Sequence, residues 1–357
     1  MRFIRCADQH TDRSHRRLLS AVAAVAAFLI VVAASPTALA APVEPPPPPM
    51  RPVSGPPPTR WGMADHGALA ADQATYGSFG VFRLYYRGLP TTWDRVVGFD
   101  GTDIVASFHD SPARVLSGRD DATFARWFAS APADKEVTWS WDHEYDAAAR
   151  RHRLDTEAYR AGWRHLITLA HRVSPRLRDT LILTAFTFNH GPADGWRQFY
   201  PGPAVDSISV DGYSWNREHL TTPDAIFARA IAAADSVGKP FGVAEVGALA
   251  PQNQPDVLAG WIYCLHDYLD VHHALFVSWF NVNVAGRDVW GSWRLTQQAP
   301  IAALRDVLHA SNPDPDPPCV NVATCPVCVP PLPAPGGVGV MAGASDAGLV
   351  IGIAVSE

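Results

Sequence analysis

Two glutamates in this chain stand where an apolar run gives out: Glu144 closes VTWSWDHE and Glu245 closes PFGVAE. A carboxyl at the end of a buried stretch sits on a rigid arm, and its surroundings decide whether it serves as acid, base or nucleophile. One glutamate so placed is more often a solvated loop residue, because charged side chains are mostly exposed. Two that face a common opening can divide the work. One protonates a leaving oxygen while the other, about 5–5.5 Å away, attacks carbon, which is the arrangement that cleaves a glycosidic bond with retention of configuration.

Other groups recur at the ends of apolar runs: His66, Arg83, His109, His143, Asn189, His190, Asp211, Tyr213 and Trp279. The runs themselves fall at 61–63, 80–85, 103–108, 136–141, 180–187, 205–210, 241–244 and 274–280, eight in all. Between them lie helical patterns. Over 156–172, Tyr159, Trp163, Leu166, Ile167 and Ala170 share one face at three- and four-residue spacing, and a second pattern over 223–237 stops at Gly238. Apolar strands alternating with helices make a parallel sheet covered on both sides, and eight such units predict an α/β fold of the (β/α)8 TIM-barrel type. A doubly wound open sheet would be expected to carry a glycine-rich phosphate loop after its first strand, and RWGMADHGALAADQ has none. In a barrel, all the strand-end groups gather at one mouth.

All twelve tryptophans lie between Trp61 and Trp293, which marks a single body over 59–310. Five arginines, the apolar run from 18 to 34 and the small-residue pattern Ala38, Leu39, Ala40 predict an export signal over 1–40, with an uncleaved membrane anchor as the alternative. Arg16 and Arg17 also allow twin-arginine export. Proline dominates 41–58, predicting an extended linker, and 311–357 reads as a low-complexity tail of Cys, Pro and Gly without packed structure. Without the five arginines and two aspartates of 1–40, the formal charge moves from −6 to about −9, which disfavours nucleic acid as a partner. Cys319, Cys325 and Cys328 favour disulfide chemistry in an oxidising compartment, whereas Cys264, within a helical apolar pattern, is expected to be buried as a small apolar side chain.

The order of His143-Glu144 after the fourth run, DGYSW around the sixth, KPFGVAEVG at the seventh and a tryptophan on the eighth resembles glycoside hydrolase family 26. The similarity covers about 58–310 and implies a retaining barrel enzyme without cofactor or metal. It implies Glu144 as acid/base and Glu245 as nucleophile, with His143 preceding the acid and His109, in ASFHD, following the third strand. It further implies Tyr213 as the hydrogen-bond donor to the nucleophile and Trp279 as the sugar platform at the −1 subsite. Arg83 is open between steadying the nucleophile and capping a loop. Mannan-cleaving members carry Arg-Pro before His-Glu and Gly-x-Trp after it; here Ser140, Trp141 and Asp142 precede and YDAAARRHR follows. The substrate therefore stays open among β-mannan, mixed-linkage β-glucan, β-xylan and an envelope glycan. The partner expected is a polysaccharide or oligosaccharide met outside the cell, cut internally, with wall association as a further option.

Two other readings use the same residues. His66, His109, His143 and His190 with Asp65 or Asp211 could hold a metal for hydrolysis. The same aromatic cleft could also bind glycan without cutting it.

Overall fold

The computed structural model describes residues 58–64, 69–96, 102–147, 155–216, 218–249, 254–282 and 293–312. The chain divides into two compact units, 1–52 and 53–357, and every described residue belongs to the second. The expected export signal, most of the linker, nearly all of the tail, and Asp65 and His66 lie outside the described residues.

Eight parallel strands close into one barrel: β1 Arg60–Ala64, β2 Val81–Tyr86, β3 Asp103–Phe108, β4 Val137–Trp141, β5 Arg178–Thr184, β6 Ser207–Ser214, β7 Phe241–Ala248 and β8 Phe276–Trp279. Each pairs with the next, and β1 pairs with β8 through Trp61↔Val277 and Met63↔Trp279. The fold is a (β/α)8 TIM barrel. The helices that follow the strands are α1 Leu69–Tyr76, α2 Pro112–Leu116, α3 Asp121–Ala129, α4 Thr156–Val173, α5 Ala185–Asn189, α6 Pro223–Asp235, α7 Pro255–Val271 and α8 Gln298–Ser311. Residues 185–187, expected as the end of the fifth strand, begin α5 instead. Four helices open on polar or proline starts that satisfy or omit the orphan N–H groups: Ser111 and Asp155 accept from N3 amides, Thr222 accepts from Ala225, and Pro255 begins α7.

Strand side chains alternate between the barrel interior and the helix layer. Val81, Val105, Ile182, Ala244 and Phe276 form a small cluster inside the barrel, while Trp61, Phe82, Trp139, Trp141, Val243 and Trp279 pack outward with the helices. The tryptophans of β4 therefore belong to the wall, not the mouth. Trp139 stacks on Trp163 of α4 at 5.3 Å, and Trp141 stacks on Tyr159 at 5.2 Å. Gly162 permits this approach, since a Cβ there would come within 2.6 Å of the Trp141 ring. The Trp141 indole donates to the carbonyl of Asp110 at 3.0 Å, tying β4 to the loop after β3. Cys264 is buried on α7, as expected, but it is disulfide-bonded. Its burial pattern alone could not reveal that bond.

Candidate active site

β7 reaches the mouth through an irregularity. Its register against β6 runs Val210↔Val243 and then Asp211↔Glu245, so one residue, Ala244, is extra. A bulge of this kind shifts the alternation of every later side chain. Ala244 packs inside the barrel, and Glu245 still turns inward to meet side chains from β2 and β6. Val246, which would otherwise have faced in, pairs with Trp279 and joins the outer core.

The Glu245 carboxylate is 2% exposed and has a partner for each oxygen. Tyr85 donates its hydroxyl to Oε1 at 2.7 Å, and Tyr213 donates to Oε2 in a short hydrogen bond. The guanidinium of Arg83, fully buried, lies 3.3 Å from Oε1 and 3.7 Å from Oδ2 of Asp211. It also sits over the Tyr85 ring, 4.9 Å from its centre. Burial and then the charge of Glu245 push both tyrosine hydroxyls well above their ordinary value, so they stay protonated and remain donors. Burial, followed by Glu245, pushes the Asp211 carboxyl well above the carboxylate range, with Arg83 opposing. One guanidinium cannot comfortably hold two buried anions, and the group that gives way is the one without hydroxyl donors. Arg83 is thus a buried counter-ion of Glu245, not a loop cap.

Glu144 approaches from the other wall. The β4–β5 ladder runs only through Thr138↔Arg178 and Trp139↔Asp179, after which β4 ends in two left-handed residues, Asp142 at φ 49° and Glu144 at φ 56°. Non-glycine residues seldom adopt this conformation, and it costs of order 1–3 kcal/mol where it occurs. Barrel contacts hold it: the Asp142 amide donates to Phe108 O at 2.8 Å and the Glu144 amide to Ile182 O at 3.1 Å. Two residues on, the buried Asp146 accepts from the Thr184 amide and from the hydroxyls of Thr184 and Thr187, pinning the turn to β5. Glu144 itself is half-buried, and its charge contributes to the upward shifts of both Asp211 and Tyr213. It faces the same space as the Glu245 cluster.

His109 and His143 lie beside it with ring centres 4.6 Å apart, and His143 also meets Tyr85 at 5.5 Å. His109 Nδ1 contacts Asp142 Oδ1 at 2.7 Å, so the left-handed Asp142 orients this imidazole. His190 is elsewhere, stacked 4.1 Å from Phe186 on the exposed rim. Asn189 donates to the carbonyls of Ala225 and Ile226 and ties α5 to α6. Among the described residues, the mouth histidines do not converge with carboxylates into a metal-holding set.

Trp279, expected as the aromatic floor, does not reach the mouth. It is 0% exposed and packs on the outer face 6.2 Å from Trp261 of α7. The strand's phase is the reason: Phe280, one residue on, joins Trp293 and Tyr213 at the mouth. Trp215, 40% exposed, stands edge-on to Trp293 at 4.7 Å and beside Tyr213 at 5.4 Å. Phe280, Trp293 and Trp215, with Tyr85 and Asp142, are the mouth residues missed from the sequence. Tyr85 was accessible to reasoning, since it lies two residues from Arg83 on the same face of one strand.

No family model and no curated protein matches the chain. Among solved structures, the fold is similar to an exo-beta-1,4-mannosidase, Op5Man5, from Opitutaceae bacterium strain TAV5 (TM-score 0.55, 12% identity, covering 73% of this chain and 61% of that one). It is also similar to a glucosidase from Croceicoccus marinus (0.51, 13%, 71% and 68%) and to beta-glucuronidase 2 of Bacteroides uniformis (0.51, 10%, 72% and 36%). The chain thus spans under two thirds of the mannosidase and about a third of the glucuronidase. At these identities the likeness is one of fold.

Proposed function

We propose that this protein is a retaining glycoside hydrolase acting on a β-linked glycan. The observation that carries the reading is Glu245: a carboxylate turned into the mouth at a bulge, held by two tyrosine hydroxyls and a buried arginine, with Glu144 on the facing wall. A carboxylate so held is oriented, as an attacking group requires. In the first step Glu245 attacks the anomeric carbon while Glu144 gives its proton to the departing oxygen, leaving a glycosyl ester on Glu245. In the second, Glu144, now ionised, takes a proton from water. That water attacks the same carbon from the opposite side and frees Glu245, and two inversions give net retention.

Trp215, exposed at the mouth and braced edge-on by the buried Trp293, supplies flat apolar surface for the C–H face of a sugar ring, a role first expected of Trp279. His109, oriented by Asp142, and His143 stand where hydroxyls of the same ring would be read. Glucose- and mannose-releasing activities named for proteins of this fold, and the family 26 resemblance of the strand-end motifs, agree with a β-glycan substrate. We read the enzyme as exported and endo-acting. The test is product analysis on β-mannan, mixed-linkage β-glucan, β-xylan and bacterial envelope glycans, with the anomer of the first product followed by NMR. New reducing ends with the β anomer first are expected. Binding without release of reducing ends from any of these glycans would leave a non-catalytic glycan-binding barrel.

A further inference from the structure

Far from the mouth, at the N-terminal ends of the strands, lies a second group of titratable side chains that the proposed chemistry does not use. His171 comes from the last turn of α4, Asp179 from the start of β5 and Asp206 from the residue before β6. One ligand atom from each lies within 4.8 Å of the others. The two aspartates bind each other's backbone: the Asp179 amide donates to Asp206 Oδ2 at 3.1 Å, and the Asp206 amide donates to Asp179 Oδ1 at 3.0 Å. These bonds lock both carboxyls in place. They leave Oδ2 of Asp179 without a hydrogen-bond partner, although the residue is 0% exposed. A buried carboxylate oxygen in that state is costly unless a cation meets it.

The nearest groups do not fully supply one. His171 Nε2 lies 3.5 Å from Asp179 Oδ2 and 3.8 Å from Asp206 Oδ2, too far for hydrogen bonds. Arg178 is mostly exposed and turns to the other oxygen of Asp206, Oδ1, at 3.8 Å. Lys239 is felt at Asp179 as a weaker charge and donates its ammonium to the carbonyl of Pro203. The spacing suits something between the three ligands. A tetrahedral ion with bonds of about 2.0–2.2 Å places its ligand atoms about 3.3–3.6 Å apart, close to the two separations found here.

We propose that His171, Asp179 and Asp206 bind a divalent transition-metal ion, Zn²⁺ in first place, at the base of the barrel. One imidazole and two carboxylate oxygens form a donor set suited to Zn²⁺ or Mn²⁺, and the half-exposed His171 side leaves room for a water as fourth ligand. The role is structural. The ion fastens α4 to β5 and β6 on the face opposite the mouth, where barrel residues serve stability.

The full chain, purified without a histidine tag and stripped with chelator, is titrated with Zn²⁺ while its melting temperature is followed. Wild type is expected to gain melting temperature with the logarithm of Zn²⁺ concentration, by mass action on the folded state. His171→Ala and Asp206→Asn are expected to show no gain. A flat response in wild type, or an undiminished one in His171→Ala, overturns the site. X-ray absorption on the wild-type complex at one equivalent of Zn²⁺ needs no variant: a single imidazole with oxygen ligands supports the assignment, and two or more imidazoles contradict it.

Discussion

At the mouth of the barrel, Glu245 and Asp211 flank one buried guanidinium, and Glu245 alone takes two tyrosine hydroxyls; at its base, Asp179 and Asp206 have a half-exposed histidine and each other's backbone amides. Both ends pair a buried aspartate with a second carboxyl, buried at the mouth and partly exposed at the base, and burial raises the carboxyl of Asp211 well above its ordinary range and that of Asp179 to about 7. The difference is where the compensation comes from. At the mouth it is built into the strands, through Arg83, Tyr85 and Tyr213, so Glu245 finds its counter-ion and donors within the protein. At the base the protein supplies locked carboxyls and too little positive charge, which is the condition of a cation site.

The comparison breaks first at Glu245. If the mouth holds that anion for attack, Glu245→Ala should lower kcat by about 10³-fold or more on every glycan, with the fold unchanged by circular dichroism. Azide should restore turnover and give a glycosyl azide of inverted anomeric configuration. Next comes Glu144→Ala. It should cost about 10²–10⁴-fold on natural glycans but far less on activated aryl glycosides, whose leaving groups need little protonation. Equal losses on both would count against an acid. Arg83→Met leaves the buried Glu245 without its counter-ion and should cost about 3–5 kcal/mol in denaturant unfolding.

A comparable loss, about 3–5 kcal/mol, is expected for Trp279→Ala, because a filled site in the outer core is emptied. Its KM should not move. Tyr213→Phe removes one charge-assisted donor worth about 1.5–3 kcal/mol, so kcat/KM should fall about 10- to 100-fold with unfolding little affected. The smallest effect belongs to Trp215→Ala, where KM should rise about 2- to 10-fold, the equivalent of ~0.5–1.5 kcal/mol of aromatic contact, at constant stability. Had Trp279 been the sugar platform, these two tryptophans would exchange phenotypes.

That exchange marks what the sequence could and could not carry. Eight apolar runs and the placement of Glu144, Glu245, Arg83 and Tyr213 at one mouth were legible, because strand ends in a barrel converge whatever the phase of each strand. The phase itself was not. A strand buried on both faces shows no alternation, so the runs around Trp139, Trp141 and Trp279 give no sign of which side is in. The bulge at Ala244 left no mark either, since GVAEVG reads equally well with or without an extra residue. Strand alternation puts Tyr85 on the face of Arg83 but does not give Glu245 as its partner, and the base cluster was invisible because His171, Asp179 and Asp206 come from three elements with no shared motif.

Trapping the glycosyl ester tests the central claim most directly. The protein is incubated with 2-deoxy-2-fluoro β-glycosides of manno, gluco and xylo configuration carrying an activated leaving group, then digested and sequenced by mass spectrometry. The expected result is one fluoroglycosyl group per chain, on Glu245 and absent from Glu245→Ala. A label on another carboxylate, or brisk turnover of natural glycan with an inverted product and no label, would contradict it.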